Sequence, residues 1–216
     1  MRMRKQPRLT ETALFHTRSI DRHAVLLLID VQEGFKDSKW GRRNNPCAEA
    51  TIAQLLNAWR VSGRPIIHVQ HVSQEHASVF APGSPGISLQ EFARPAEGEL
   101  LLQKRVNSAF IGTELDRSLK ERGATAVVVV GFTTDHCVSS TVRMAANLGY
   151  RTIVVADGTA TFERRSVDNE PVDPEIIHQI HLLSLQGEFA EVLDADMVVS
   201  LSEKERGGVA LSASSC

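Results

Sequence analysis

The sequence predicts an α/β protein, a three-layer α/β/α sandwich around a six-stranded parallel sheet of Rossmann-like order 3-2-1-4-5-6. Short β-branched or aliphatic runs alternate with segments of helical periodicity, the pattern of parallel strands joined by crossover helices. The runs are continuously apolar instead of alternating, as expected where helices cover both faces of a sheet. Right-handed crossovers then limit the topology to a doubly wound sandwich.

The elements follow in order. Ala24 to Asp30 (AVLLLID) is a buried strand ending in a carboxylate. Asn45 and Pro46 open a helix, Asn as the cap and Pro in the first turn where its missing N–H costs nothing. Ile52, Leu55, Leu56 and Trp59 form its apolar face, and Gly63 ends it. Pro65 to His71 (PIIHVQH) is the second strand. Ser73 to Gly98 is interrupted by Pro82, Pro85 and Pro95 and is too long for an ordinary connection, which suggests a lid, a binding loop or a subunit contact. Glu99 to Lys104 is the third strand, and Thr113 to Arg122 a helix with Leu115 and Leu119 inward. Thr125 to Gly131 (TAVVVVG) is the fourth strand, Cys137 to Leu148 a helix burying Val138, Val142 and Ala145, and Arg151 to Asp157 the fifth strand. Asp173 caps a helix from Pro174 to about Leu185, and Ala195 to Leu201 (ADMVVSL) is expected as the sixth strand.

Composition bounds the function. The chain has 216 residues, 42% hydrophobic and 23% charged, which is one ordinary globular domain and not a disordered chain. The expected organisation is an N-terminal arm over 1–22, one folded domain over 23–204 and a flexible tail over 205–216. A net charge of −2 gives no basic excess for nucleic acid, and 5% aromatic residues give little for a stacking platform. Cys47, Cys137 and Cys216 are far apart and form no C-x-x-C, which fits a reducing cytoplasm and no disulfide framework. No apolar run reaches the ~18 residues of a membrane span, and no apolar signal core follows the basic Met1-Arg2-Met3-Arg4-Lys5, which is assigned to a solvated arm.

Ligands of open α/β sheets bind beyond the carboxyl ends of the strands where strand order reverses. In the predicted order that seam lies between strands one and four, with Asp30 on one side and Cys137 on the other. A cysteine in the first turn of a helix gains a lowered thiol pKa from the dipole and nearby backbone N–H groups for an oxyanion. Taken singly, Cys137 is more often a small buried hydrophobe than a nucleophile, Asp30 a cap or structural ion pair, and Lys104 a surface charge. Their joint placement at strand ends is the argument for chemistry.

Three segments carry a resemblance. Leu28 to Phe35 (LIDVQEGF), Gln103-Lys104 with Asn107 to Phe110 (NSAF), and Gly131 to Val138 (GFTTDHCV) are similar to the motifs of the isochorismatase-like cysteine hydrolases. The resemblance runs from about Ala24 to Leu201. It implies a Cys137–Asp30–Lys104 triad, a cis peptide before Thr133, and an oxyanion hole from the Thr133 and Cys137 N–H groups. The implied reaction cleaves a C–N bond of a small amide or ureido substrate through a thioester. Vinyl-ether hydrolysis of isochorismate, centred on Asp30, is the alternative, and a non-catalytic small-molecule or redox-sensing module is a third reading.

Phe35, Gln70, Phe110 and Phe132 are the expected substrate-binding residues, Gln70 with a structural amide as its equal alternative and one or two of the phenylalanines lining the site while the others join the core, with His71 a weaker candidate. Strand three lies two strands from the seam, about 10 Å away, so Lys104 must arch over strand two or its element must bend inward. No metal or cofactor is expected, because His68 and His71 face opposite ways on a strand and Val69-Gln70-His71 lacks the carboxylate of the metal-binding branch. His178 and His181 are assigned to a solvated helix face, and Asp157 to a cap or loop. The expected partners are a small-molecule substrate and further copies of the chain, as homodimer or homotetramer.

Overall fold

Six strands form one parallel sheet in the order β3-β2-β1-β4-β5-β8. They are β1 Val25–Ile29, β2 Ile66–His71, β3 Leu100–Lys104, β4 Ala126–Phe132, β5 Arg151–Ala160 and β8 Glu191–Leu193. The helices are α1 Ala48–Ser62, α2 Leu115–Glu121, α3 Ser139–Asn147, α4 Pro174–Leu185 and α5 Ala195–Glu203. A short antiparallel hairpin, β6 Arg164–Arg165 with β7 Pro171–Val172, stands apart from the sheet. These coordinates are a computed structural model that describes residues 19–203. Residues 1–18 of the predicted arm, the predicted tail over 205–216 and Cys216 lie outside the described residues.

Successive strand residues feed two separate cores. Leu26 and Leu28 of β1 join Val128 and Val130 of β4 under Ile52, Leu55, Leu56 and Trp59 of α1 and Val198 and Leu201 of α5. Val25, Leu27 and Ile29 join Val127 and Val129 beneath Leu115 and Leu119 of α2, Val142 of α3, and Leu182 and Leu185 of α4. This two-sided burial is why the runs are continuously apolar, at about 1.5–3 kcal/mol for each large side chain taken from water. Trp59 is fully buried because its indole N–H donates to the Ala24 carbonyl at 3.0 Å.

Four sequence expectations are corrected. The Ala195–Leu201 segment is helix α5, not a strand. Ala195, Val198, Leu201 and Ser202 are its buried positions, spaced by three or four as a helix face requires. Asp157 Oδ1 accepts from the Ala195 N–H at 2.9 Å and Asp194 Oδ1 from the Met197 N–H at 2.8 Å, so two carboxylates hold its start. The sixth sheet strand is the three-residue β8 just upstream. Asn45 does not cap α1: it has φ +43°, and its Nδ2 donates to the carbonyls of Ala156 and Thr159 at 2.9 and 2.7 Å. Ile20, placed in the arm by sequence, is fully buried, and its N–H donates to the Leu201 carbonyl. His178, assigned to a solvated face, is 2% exposed.

The seam between β1 and β4 is tight. Gly131 has φ +118°, and a Cβ there would lie 2.0 Å from the Ile29 carbonyl oxygen. The register with β5 shifts at the same point, between Val129 and Gly131. No helix among the described residues is long and apolar enough to cross a membrane.

Candidate active site

Three strand ends deliver three side chains to one point. Asp30 directly follows β1, at φ +52°, a left-handed conformation that Asp tolerates better than most residues and that tends to persist where surrounding structure enforces it. Its N–H donates to the Val69 carbonyl at 2.9 Å and its carbonyl accepts from the Gln32 N–H at 2.8 Å. Lys104 ends β3, in register with His71. Cys137 sits in a π-helical turn, Thr134–Val138, that joins the end of β4 to α3. Lys104 Nζ lies 2.7 Å from Asp30 Oδ2 and 3.2 Å from Cys137 Sγ, and it also meets the Val106 carbonyl at 3.2 Å and His71 Nδ1 at 3.4 Å. The lysine therefore arches over the end of β2 beside His71, which resolves the distance problem posed by strand order. Cys137 Sγ is 3.7 Å from Asn107 Oδ1, which can accept the thiol proton's hydrogen bond.

Burial makes these contacts consequential, because Asp30 and Lys104 are essentially inaccessible. Burial works to lower the Lys104 pKa, but Asp30 and Cys137 outweigh it and hold it above the ordinary lysine value. The lysine is a fixed cation. For Cys137, burial and then the Asp30 charge push the thiol pKa upward, against the opposing pull of Lys104. The expected lowering at a helix start is not what this site gives: desolvation and the neighbouring carboxylate outweigh the pull of Lys104. Charge balance gives the same result. Carboxylate, ammonium and thiol sum to zero in the buried cluster, and so do carboxylic acid, ammonium and thiolate. A proton moving from Sγ to Asp30 keeps the cluster neutral, whereas losing it to solvent leaves a net buried charge. His71 is held below the usual imidazole value by burial first and by Lys104 second, so it is neutral near pH 7.

A cavity of about 240 Å³ opens onto this cluster. Asp30, Cys137, Thr133, Asn107 and His71 form its polar side, while Phe35, Trp40 and Phe80 form an apolar wall. The rings of Phe35 and Phe80 pack 4.8 Å apart, and the Trp40 N–H is spent on the Gly34 carbonyl at 2.8 Å. Of the four expected substrate contacts, Phe35 alone lines the cavity. The Gln70 amide is engaged within the fold, the structural alternative weighed for it: its Nε2 donates to the Ile87 carbonyl and its Oε1 accepts from Gln103 Nε2, both at 2.8 Å. It neighbours His71 on a strand, so the two point to opposite sides. Phe110 stacks on Tyr150 at 6.2 Å, and Phe132 is fully buried against Phe35 with the Arg43 guanidinium 5.4 Å from its ring centre; neither lines the cavity. Sequence reasoning passed over Trp40, Phe80 and Arg164, and gave Asn107 no role although it lies inside a quoted motif.

The turn carrying Cys137 is braced from behind. The Phe132–Thr133 peptide is cis. Thr134 Oγ1 lies 2.9 Å from His178 Nδ1, with both side chains buried. Asp135 is gripped by Arg164 at 2.8 and 3.2 Å and accepts from the Thr161 hydroxyl. Burial raises the Asp135 pKa, yet Arg164 and Thr161 overcome it and bring it down to about 2. His68 is engaged by Glu99 at 2.7 Å, and among the described residues no three His, Cys, Asp or Glu side chains gather as a metal set.

Comparison with known proteins identifies the family and the fold. Residues 24–197 match the model of the isochorismatase domain. The chain is 42% identical over 176 residues to the uncharacterized isochorismatase family protein YrdC of Bacillus subtilis, covering 82% of this chain and 94% of that protein. A crystal structure of a hydrolase of the isochorismatase family from Chromobacterium violaceum superposes with a TM-score of 0.81 at 38% identity, over 83% of this chain and 93% of the other. The ureidoacrylate amidohydrolase RutB of Methylobacterium radiotolerans is 31% identical over 121 residues, covering 56% of this chain and 43% of that enzyme.

Proposed function

The chain belongs to the isochorismatase family of hydrolases, and from that premise we propose that it hydrolyses a C–N bond of a small, uncharged amide or ureido compound through a thioester on Cys137. The observation that carries the reading is the buried contact of Lys104 Nζ with both Asp30 Oδ2 and Cys137 Sγ at the base of the cavity.

The Asp30 carboxylate takes the Sγ proton as sulfur attacks the carbonyl carbon, forming the S–C bond and sending the carbonyl π pair to oxygen. The backbone N–H groups of Thr133 and Cys137 receive that oxyanion, and Lys104 stabilises the sulfur while it is anionic. The tetrahedral adduct collapses, the C–N bond breaks, and Asp30 returns its proton to the leaving nitrogen. Water then adds to the thioester carbonyl with Asp30 taking its proton. The S–C bond breaks, the acid product leaves, and the proton returns to Sγ. Each proton move keeps the buried cluster neutral, which a low-dielectric site favours.

The cavity supports a small substrate, since its volume lies below the usual 300–1,000 Å³ of ligand pockets. Arg164, the arginine that lines it, is committed to Asp135, Lys104 behind the wall is committed to Asp30, and Glu75 adds a carboxylate to the lining. A dicarboxylate such as isochorismate needs cations free to meet it, so the vinyl-ether alternative is less well supported. A binding-only module has no use for an ion pair whose burial costs several kcal/mol per charge. RutB, named for its amidohydrolase activity on ureidoacrylate, supports the choice of bond. A panel of small amides and ureides assayed for ammonia or amine release tests the proposal. Turnover abolished by Cys137→Ala supports it, and turnover retained by that variant, or hydrolysis of isochorismate alone, overturns it.

A further inference from the structure

His71 holds a hydrogen-bond donor toward the cavity that no described residue satisfies. Lys104 Nζ lies 3.4 Å from its Nδ1, and a cation at that distance favours the tautomer whose Nδ1 lone pair faces it. A neutral imidazole that accepts at Nδ1 carries its proton at Nε2. The backbone that carries the ring is fixed, and the ring packs on Phe80. Gln32, fully buried, clamps the His71 backbone from both sides, accepting from its N–H at 2.8 Å and donating to its carbonyl at 3.0 Å. Phe80 packs at 85° to the imidazole with ring centres 5.9 Å apart. Both His71 and Phe80 line the cavity, and Nε2 has no hydrogen-bond partner among the described residues.

We propose that His71 is a substrate-binding residue whose Nε2–H donates to a second acceptor on the substrate, a carbonyl oxygen or ring nitrogen separate from the carbonyl being attacked. The enzyme thereby selects amides that carry such a second acceptor over plain alkyl amides. A preorganised donor left without a partner penalises a ligand that cannot accept from it, because the donor is then desolvated for nothing. The inference rests on the amide-hydrolase reading and deepens it.

The test uses the two ends of the imidazole separately. In His71→Gln the amide nitrogen falls near the former Nε2 and restores the donor. In His71→Asn the side-chain oxygen can replace Nδ1 as acceptor for Lys104, but nothing reaches the Nε2 position. The probes are a dicarboxamide and the alkyl carboxamide of equal length. Wild type and His71→Gln are expected to prefer the dicarboxamide by roughly ten-fold in kcat/KM, the worth of one hydrogen bond, and His71→Asn to lose the preference. Retention of the preference by His71→Asn overturns the proposal, as does rescue by Asn and not by Gln, which assigns His71 to holding Lys104. Absence of ammonia release from both probes by wild type counts against the amide reading itself. Calorimetric titration into Cys137→Ser protein then decides His71 without turnover. Tighter dicarboxamide binding that vanishes in the His71→Asn/Cys137→Ser double variant supports the donor role, and equal or undetectable binding of the two probes overturns it.

Discussion

Replacing Lys104 by Met keeps the unbranched stem and deletes the charge, leaving Asp30 buried without its counter-ion. The two charges are 2.7 Å apart with both side chains fully inaccessible. At an effective dielectric of about 20 their attraction is about 6 kcal/mol. The single variant forfeits that attraction while Asp30 still bears its desolvation, so a loss of about 3–5 kcal/mol is expected. That is a large part of the ~5–15 kcal/mol that stabilises a typical protein, and it lowers Tm by roughly 6–20 °C. Asp30→Asn/Lys104→Met leaves no charge buried and is expected to recover most of the loss while remaining inactive. Urea unfolding and scanning calorimetry near neutral pH measure both. A single variant within about 1 kcal/mol of wild type, or a double variant less stable than the single, refutes the claim that this is a dry, mutually dependent pair.

Other outcomes follow from neighbouring residues. Because Asp30 raises and Lys104 lowers the thiol pKa, Asp30→Asn should be alkylated by iodoacetamide faster than wild type at mildly alkaline pH and Lys104→Met more slowly; the reverse order contradicts the electrostatics described. Asp135, brought down to about 2 in the fold against about 3.9 in an unfolded chain, adds stability that is full above the unfolded value and lost as pH falls through the folded one. Asp135→Asn should therefore cost about 2–3 kcal/mol at neutral pH and only about 0.4 kcal/mol at pH 2, where the folded carboxylate is half protonated, a convergence that stability curves in urea can check. Gly131→Ala forces a Cβ to 2.0 Å from the Ile29 oxygen at the seam and should cost more than ~3 kcal/mol, read as loss of soluble folded protein or a collapsed Tm.

The sheet was legible because two-sided burial writes unbroken apolar runs, and TAVVVVG or AVLLLID admits few other roles. Where the reading slipped, a tertiary partner outweighed a local signal. Two adjacent valines in ADMVVSL favour a strand, but the buried spacing of Ala195, Val198 and Leu201 belongs to a helix pinned by Asp157 from another element. Asn45-Pro46 looks like a cap until the distant carbonyls of Ala156 and Thr159 claim the asparagine. Strand-end placement put Asp30 and Cys137 at the seam and Lys104 among the candidates, and the resemblance carried by LIDVQEGF, QK with NSAF, and GFTTDHCV implied that the three form a triad. The apolar wall was not legible, since Trp40 and Phe80 arrive on loops whose course no periodicity encodes. Gln70 and His71 show the finest limit: one residue along a strand exchanges a structural amide for a cavity-lining imidazole.

The central claim is that Cys137 carries the acyl group. Rapid acid quenching during turnover of an amide, followed by peptide mass spectrometry, addresses it directly. The account predicts that the Cys137 peptide gains the mass of the substrate acyl group, and that the adduct decays with the kinetics of acid release. Turnover with no mass change on that peptide, under conditions that trap a synthetic thioester, would contradict it.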